Sequence, residues 1–234
     1  APADRIGVIA GDLQDAESMK ATLDLFRALG SKNTDCRQDG AALGYGPRES
    51  WLFNSGLEGI EKADAILIVG VNPRIEAPLL NARLRKSWIK GGVEIGVIGE
   101  QADLTFDYAY LGAGSKTLAK LPKSAMDFLT KAERPAIIVG SGALNGEGGA
   151  AVLNALGALA KKVGVIGEGW NGFNVLHHAA ARVGGLDMGF VPVEGGLTVS
   201  DMLKPGALDV LFLLGADEVD PTGSNAFRVY LGSH

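Results

Sequence analysis

The sequence contains a series of short apolar runs, each of which ends in glycine. These runs are continuous rather than alternating, which is typical of strands in a parallel sheet that is covered on both faces. A glycine directly after such a strand suits a turn into a helix, because glycine adopts positive φ at little cost. The runs are RIGVIAG (Arg5 to Gly11), AILIVG (Ala65 to Gly70), EIGVIG (Glu94 to Gly99), AIIVG (Ala136 to Gly140), VGVIG (Val163 to Gly167) and DVLFLLG (Asp209 to Gly215).

Apolar residues at helical spacing lie between these runs. Leu23, Phe26 and Leu29 share one face of a helix that begins near Ala16, and Pro78 suits the first turn of another helix. Strand–helix alternation of this kind predicts an α/β fold with mostly parallel sheets. The other sets that share a helical face are Leu80, Leu84 and Trp88; Val152, Leu156, Leu159 and Ala160; and Val175, Leu176, Ala179 and Val183.

The length and an internal similarity indicate more than one folding unit. A chain of 234 residues can form one large domain or two small ones. The apolar run that starts at Asp64 resembles the run that starts at Asp209, and each leads to a loop that contains proline. We therefore predict two Rossmann-like units, residues 1–133 and 134–234, with the boundary at Glu133-Arg134-Pro135 and the second unit incomplete. Both ends of the sequence look cut from something longer.

Composition excludes several functional classes. A net charge of −5 and an aromatic content of 6% argue against a nucleic-acid binder, which needs cations and stacking surfaces. Cys36 is the only cysteine, so no internal disulfide can form, and iron–sulfur clusters and structural zinc need about four ligands that are mostly thiolates. No apolar run reaches the roughly 20 residues of a membrane helix, and no signal-like segment opens the sequence.

The first candidate site follows the run that ends at Gly70. Asn72, Pro73 and Arg74 come next, where an α/β sheet binds ligands beyond the carboxyl end of a strand. Arg74 could then form a forked contact with a phosphate. The alternative, which the spacing alone favours, is that Asn72-Pro73 only shapes the turn and that Arg74 pairs with Glu76 or a neighbouring acid.

The second candidate site is GEGWNG, from Gly167 to Gly172. It has the G-x-G-x-x-G spacing of a dinucleotide-binding loop at Gly167, Gly169 and Gly172, after an apolar run and before a helical pattern. The acid that should follow about 20 residues later has only Asp187 and Glu194 as candidates, and no clear strand leads to either. In a sequence with 34 glycines a chance match is the favoured alternative.

Four further sets of polar residues favour structural roles. His177 and His178 would point about 100° apart on a helix and could not easily bind one metal together. Acidic residues in two loops are interpreted as helix-start acids and as a solvated loop, with a magnesium site as the alternative for the second set. The basic residues after Pro78 are interpreted as a solvated helix face, with a subunit contact as the alternative. The two acidic sets are Asp12, Asp15 and Glu17, and Asp217, Glu218 and Asp220; the basic set is Arg83, Arg85, Lys86 and Lys90.

Several longer segments resemble one protein family. These are ADAILIVGVNPRIEAPLLNARLRKSW, DLTFDYAYLG, GWNGFNVLHHAAARVGGLDMGF and DVLFLLGADEVD. They resemble the C-terminal part of the large iron–sulfur subunits of NADH-quinone oxidoreductase (respiratory complex I) and are of α-proteobacterial or mitochondrial type. The resemblance covers nearly all of the sequence and is most specific in NPRIEAPLLNARLRK.

That part of the large iron–sulfur subunits is similar to molybdopterin-dependent oxidoreductases. The resemblance implies a fold like that of formate dehydrogenases and DMSO reductases, truncated here at both ends. In those enzymes a strand followed by Gly-x-Asn-Pro lines the pterin dinucleotide pocket, and Gly70-Val71-Asn72-Pro73 matches that pattern. The resemblance therefore makes Gly70, Asn72, Pro73 and Arg74 candidates for a vestigial pterin pocket.

The sequence departs from the active enzymes at three places. Gly40 or Ala41 aligns with the cysteine, selenocysteine or serine that binds the metal, while Cys36 lies too early. The Asp-Pro-Arg that anchors the nucleotide is replaced by Glu100-Gln101-Ala102-Asp103, and Glu76 adds negative charge beside the expected phosphate position. These departures predict that the fold is kept and that molybdopterin is absent.

The resemblance implies a scaffold within an electron-transfer complex, with no catalytic residues and no metal site of its own. Iron–sulfur clusters would belong to a cysteine-rich region that precedes Ala1. The partners would be other peripheral-arm subunits, on the cytoplasmic side of a bacterial inner membrane or the matrix side of the mitochondrial one, with no direct membrane insertion. The alternatives are a working oxidoreductase domain that binds a molybdopterin dinucleotide, and a nucleotide-binding module that uses Gly167, Gly169 and Gly172.

Overall fold

The computed structural model describes residues 1–232 and has the predicted α/β architecture. The strands are β1 (Ile6–Ala10), β2 (Asn33–Asp35), β3 (Ala65–Val69), β4 (Glu94–Ile98), β5 (Ala109–Gly112), β6 (Pro135–Gly140), β7 (Ile166–Gly167), β8 (Trp170–Asn171), β9 (Phe173–Leu176), β10 (Val210–Leu214) and β11 (Phe227–Leu231). The α-helices are α1 (Ala16–Ala28), α2 (Gly56–Gly59), α3 (Pro73–Glu76), α4 (Pro78–Lys90), α5 (Ser115–Ala119), α6 (Lys123–Lys131), α7 (Gly149–Val163), α8 (Arg182–Met188) and α9 (Val199–Met202). No helix in residues 1–232 meets the length and apolarity that a bilayer crossing requires.

The chain forms two compact units, and the first is built from both ends of the sequence. Unit 1 comprises Ala1–Gly44 and the chain from His177 onward. Its sheet has the order β11–β10–β1–β2, and all neighbouring strands are parallel. Helix α1 begins where the Asp15 side chain accepts a hydrogen bond from Ser18 N at 2.7 Å. It packs on the sheet through Phe26, whose ring meets Phe212 edge to face at 5.3 Å.

Unit 2 is the continuous segment Tyr45–Leu176. Its main sheet has the order β5–β4–β3–β6–β9, again with parallel neighbours. Every residue of β3 and β6 is buried, as the continuous apolar runs predicted for covered strands. Helix α4 begins at Pro78 and contributes Leu80 and Leu84 to the core beside β3.

The structure corrects the predicted domain boundary at 133/134. Strand β6 starts at Pro135, directly after that boundary, yet it pairs with β3 at the centre of the unit 2 sheet. Units of 1–133 and 134–234 would divide this sheet between two domains. The Asp64 and Asp209 runs form β3 and β10, which belong to separate sheets and separate units.

Two local predictions are also wrong. The run Val163 to Gly167 is not a buried strand: α7 continues to Val163, and Gly164 ends it in the left-handed conformation at φ +72°. The predicted helix over Val175 to Val183 is replaced at its start by β9, in which Val175 pairs with Val139 of β6. Apolar residues in a short segment fit the helical period as well as the strand period. Here the segment forms a strand because it pairs with β6.

Candidate functional site

The Gly70 candidate lies at a topological switch point, as a ligand site of an α/β sheet should. From β3 the chain adds β4 and β5 on one side of the sheet and then β6 and β9 on the other. The chain therefore continues from the neighbouring strands β3 and β6 toward opposite edges of the sheet. Gly70 to Arg74 follow β3 directly, so the sequence located this position correctly.

Gly70 is constrained by close backbone packing at this switch point. Its φ is +58°, and a Cβ at this position would lie 2.5 Å from Cβ of Ala143 in the loop after β6. A Cβ on Gly140 would lie 2.6 Å from the Gly70 carbonyl oxygen. The two loops thus touch each other where a wider crevice would admit a ligand.

Asn72 and Pro73 have a structural role in the start of α3. The Asn72 side chain accepts a hydrogen bond from Arg74 N at 3.1 Å, and Pro73 occupies the first helical position. The Asn72 backbone N–H in turn donates to Glu76 Oε1 at 2.6 Å. Glu76 therefore caps the turn, and the polar atoms of Asn72 serve the chain itself.

Arg74 pairs with an acid from the loop after β4. Its Nη1 atom lies 2.6 Å from Asp103 Oδ2 and donates to the Asp103 carbonyl oxygen at 2.9 Å. The pKa of Asp103 is lowered, first by the hydrogen bond from Thr105 N and then by the one from Arg74. Of the two interpretations of Arg74 that the sequence left open, the structure has the ion pair with a neighbouring acid.

A cavity of about 310 Å³ lies beside Gly70 in unit 2. It is lined mainly by small and apolar residues from the ends of β3 and β4 and from the loop after β6, among them Gly70, Gly99, Ala143 and Asn145. The side-chain oxygen of Asn145 is buried and has no hydrogen-bond partner among the described residues. The polar side chains that line the cavity within residues 1–232 are this amide and the Ser115 hydroxyl, and none is charged. A dinucleotide phosphate is usually bound by charged or multiple hydrogen-bond donors, so the lining favours phosphate binding only weakly.

Gly40 and Ala41, which the resemblance compares with the metal ligand of the active enzymes, lie in unit 1 after β2. Ala41 is 1% exposed and carries no donor atom. Cys36, the alternative ligand, is 3% exposed, and its Sγ would lie 2.8 Å from a Cβ placed on Gly185 of α8. Burial, followed by the charge of Asp35, raises the pKa of Cys36 to about 12, so the thiol is protonated at neutral pH.

Two ion pairs stabilise the loop after β2. Arg37 donates from Nε and Nη2 to the two oxygens of Asp35, at 2.8 and 3.0 Å, and both side chains are buried. Arg182, the first residue of α8, is 2% exposed and lies 3.0 Å from Asp39 Oδ1 and 3.6 Å from Asp12 Oδ1. Asp12 is therefore not a helix-start acid, since it belongs to this cluster.

Sequence reasoning missed Arg182 as a residue of this region. It follows a run of three alanines and has no acid at helical spacing, so nothing local marks it. Its partners come from loops after β1 and β2, which only the three-dimensional fold brings to it. A buried guanidinium must be paired, so knowledge of its burial would have been the signal to search for these carboxylates.

The acidic loop after β10 is held by its own hydrogen bonds. Asp217 Oδ1 accepts from the Tyr230 hydroxyl at 2.7 Å, which raises the pKa of Tyr230. Asp220 Oδ1 accepts from Thr222 N at 3.0 Å and begins a short 3-10 turn. In residues 1–232 no group of three or more His, Cys, Asp or Glu side chains is arranged to hold a metal ion.

The GEGWNG segment forms a β-hairpin rather than a dinucleotide loop. Gly167 ends β7, Gly169 lies in the turn at φ +70°, and β8 pairs antiparallel with β7. Strand β9 begins at Phe173, directly after Gly172, so no helix N-terminus faces the loop. The strand–turn–helix context that the motif requires is absent from this segment, and the prediction of it is wrong.

His177 and His178 follow β9 and are outside any helix. The predicted helical separation between them therefore does not apply.

Comparison with known proteins gives one family and a consistent set of relatives. Residues 2–234 match the family model described as molybdopterin oxidoreductase. The chain is 42% identical over 232 residues to the mitochondrial NADH-ubiquinone oxidoreductase 78 kDa subunit of Candida albicans, covering 97% of this chain. It is 39% identical to the mitochondrial NADH dehydrogenase [ubiquinone] iron-sulfur protein 1 of Solanum tuberosum, covering 100% of this chain.

The chain spans only 31% of the length of each of these two relatives. Among solved structures, a chain of the formyltransferase/hydrolase complex from Methylorubrum extorquens, in complex with methylofuran, has a TM-score of 0.46 and 18% identity. That similarity covers 74% of this chain and 53% of the other, and it is too low to support an inference.

Proposed function

This chain belongs to the molybdopterin oxidoreductase family, and from that premise we propose that it is a non-catalytic scaffold domain of an NADH-quinone oxidoreductase. The observation that carries the proposal is the identity of 39–42% to relatives named as subunits of that enzyme, over nearly the whole chain. The chain spans 31% of the length of these relatives, so the proposal concerns this segment of the subunit alone.

The residues at the ancestral cofactor positions do not fit a metal-bearing pterin. Ala41 has no ligand atom, and the Cys36 thiol is buried against α8 with a pKa of about 12. A thiol binds a metal as the thiolate, which the surroundings of Cys36 oppose. In place of a metal centre, the buried cation Arg182 of α8 lies beside Asp39 in the loop after β2 and Asp12 in the loop after β1.

The phosphate end of the ancestral pocket is equally changed. The charge of Arg74 is balanced by Asp103, and Glu76 places a second carboxylate at the same turn. A phosphate dianion there would have to displace Asp103 and would meet the repulsion of Glu76. These contacts support the proposal that the domain has kept its sheets, and that residues of the former cofactor site now stabilise the loops at the strand ends.

In this proposal the electron carriers and the membrane lie elsewhere in the assembly. The relative from Solanum tuberosum is named an iron-sulfur protein. This chain has one cysteine, so it cannot supply the several thiolates that an iron–sulfur cluster requires. The domain would pack with other subunits of the peripheral arm, on the matrix side of a mitochondrial membrane or the cytoplasmic side of a bacterial one.

Elemental analysis of the full-length protein, purified within its assembly, tests the absence of the cofactor. We expect molybdenum and tungsten far below one atom per chain, and no pterin fluorescence after acid oxidation. A molybdenum enzyme purified from the same cells shows that the cofactor was available. One molybdenum or tungsten atom per chain would overturn the non-catalytic assignment.

Affinity purification tests the scaffold assignment itself. A tag on the full-length protein should enrich the other subunits of NADH-quinone oxidoreductase together with NADH-oxidising activity. Recovery of the tagged protein without those subunits would contradict membership of that complex, whatever the metal content.

A further inference from the structure

Helix α4 has an apolar face in the core and a second apolar face in solvent. Leu80 and Leu84 are buried against β3 and its neighbours. On the opposite side, Leu79 is 77% exposed and Ile89 is 59% exposed. With Ala82, Lys86 and Lys90, which are also exposed, they occupy one side of the helix at spacings of three and four residues, and we call these five residues the outer face of α4.

The same helix carries an excess of positive charge. Four of its residues are cations and none is an acid, although the chain as a whole has a net charge of −5. Arg83 Nη1 and Lys86 Nζ share a single carboxylate, Glu61, at 2.5 and 2.6 Å. Arg85 Nε donates to the Thr105 carbonyl oxygen, which carries no net charge. Within residues 1–232, two of the four cations of this helix form ion pairs, both with Glu61, and the charge of Glu58 also acts on Arg83.

We propose that the outer face of α4 is a docking surface for another protein subunit, which presents carboxylates among apolar side chains. This inference rests on the proposed function and names a surface for it. Exposed leucine and isoleucine bury area on association, and the excess of cations selects a partner of opposite charge.

The geometry favours a protein over a lipid surface or a nucleic acid. A helix that lies in a membrane interface inserts its broad apolar face, but that face of α4, with Leu80 and Leu84, is already in the core. A nucleic-acid surface would contact phosphates through several free cations, whereas Glu61 occupies two of the four. A protein interface typically has an apolar centre and a polar rim. The apolar side chains of the outer face suit such a centre, and its lysines suit the rim.

Photo-cross-linking tests the docking surface in the assembled complex. Benzoylphenylalanine is placed at Leu79 of the full-length protein, with Leu25 of α1 as a second exposed leucine for comparison. We expect irradiation to join Leu79 to one segment of another subunit that contains Asp or Glu near the adduct. An adduct to lipid, to the same polypeptide or to a basic segment overturns the inference, and so does the absence of any adduct at Leu79.

Acidic substitutions on the outer face of α4 distinguish a failure of this inference from a failure of the proposed function. We expect Leu79→Glu and Lys90→Glu to reduce the yield of the Leu79-contacting subunit in the affinity purification at least several-fold, while the thermal melting of the protein is unchanged. If both variants recover that subunit in the same yield as the wild-type protein, the docking surface is contradicted but the proposed function is not. Failure of the wild-type protein to purify with any subunit of the complex contradicts the proposed function instead. Vesicles with anionic lipid should not bind the wild-type protein more than Lys90→Glu, and a clear difference would favour a membrane surface and overturn the inference.

Discussion

Nη1 of Arg182 lies 3.0 Å from Oδ1 of Asp39, with the arginine side chain only 2% exposed. Asp12 completes the cluster at 3.6 Å, and one of its carboxylate oxygens and the Nε of Arg182 have no hydrogen-bond partner among the described residues. The cluster joins α8 to the loops that follow β1 and β2. It therefore stabilises the loop after β2, which contains Gly40 and Ala41.

Removal of the buried cation should destabilise the protein more than removal of an exposed one. Arg182→Gln leaves two partly buried carboxylates without a counter-charge, and we expect a loss of about 3 kcal/mol in the free energy of unfolding. Lys204→Gln is the matched control, because Lys204 pairs with Asp201 at 2.6 Å on the surface, and it should cost under about 1 kcal/mol. Urea unfolding measures both. Equal losses for the two variants would contradict a bracing role for Arg182.

The stability of the protein should depend on the ionisation of Glu61. Hydrogen bonds from Lys86 and then Arg83 lower the pKa of Glu61 from 4.5 to about 2. Because the folded-state pKa is depressed, this stabilisation is present above about pH 4.5 and is lost as the pH falls toward 2. The melting temperature of the wild type should therefore exceed that of Glu61→Gln at pH 7, and the difference should shrink across that window.

Glu94→Gln controls for the loss of one negative charge from unit 2, because Glu94 is exposed and lies outside the cluster of Glu61, Arg83 and Lys86. A difference between wild type and Glu61→Gln that stays constant from pH 5 to pH 2 would contradict the assigned pairing.

Cys36 should be inert until the protein unfolds. Its thiol is buried and its pKa is raised to about 12, so a thiol reagent at pH 8 should react at the rate of opening and at once in denaturant. Since it is the only cysteine, the whole signal comes from this residue. Stoichiometric reaction within the mixing time, without denaturant, would show an accessible thiolate and would reopen its role as a ligand.

The same raised pKa predicts alkaline sensitivity. A folded-state pKa above the ordinary value of 9.0 means that stabilisation is complete below pH 9 and is lost as the pH rises toward about 12, because the unfolded thiol ionises first. Cys36→Ser keeps a similar shape with a hydroxyl that does not titrate there. The stability difference between wild type and Cys36→Ser should thus decline over this range, and a flat difference would count against burial of the thiol.

Alanine at Gly70 should cost more than alanine at a comparable open glycine. Gly70 and Gly146 both have positive φ, +58° and +67°, in loops that lead from a strand of unit 2 toward a helix. At Gly146 nothing lies within 4 Å of an added Cβ, whereas at Gly70 Cβ of Ala143 lies at 2.5 Å. We expect about 1 kcal/mol for the backbone strain at Gly146 and at least about 1 kcal/mol more at Gly70. Equal costs in urea unfolding would mean that the loops after β3 and β6 do not touch.

The strands with strong continuous patterns could be predicted from sequence, and so could the position of the Gly70 candidate. Ala65 to Val69 is a run of five apolar residues, and such a run is buried wherever a parallel sheet is covered on both faces. A strand followed by Gly-x-Asn-Pro then fixes a turn at the carboxyl end, since Asn72 caps and Pro73 starts the next helix.

The partners of these residues could not be predicted, because they depend on contacts between distant segments. Arg74 could have reached a phosphate or an acid, and only the fold places Asp103 beside it. Val175 fits a helical face as well as a strand, and pairing with Val139 decides between them. The boundary at 133/134 failed for a related reason: a charged, proline-containing junction marks a loop, and a loop does not reveal whether the next strand joins the old sheet or starts a new one.

Arg5 and Asp209 pair through two donated hydrogen bonds, at 2.7 and 3.1 Å, across 204 residues of sequence. They stand at the start of β1 and β10, the two strands at the centre of the unit 1 sheet. During synthesis β1 has only β2 to pair with until β10 has also been made. Unit 2, whose strands come from one uninterrupted stretch, can fold in the meantime. A nascent chain that stalls before Val210 would thus carry the complete unit 2 sheet, while β1 and β2 would still lack their partners β10 and β11.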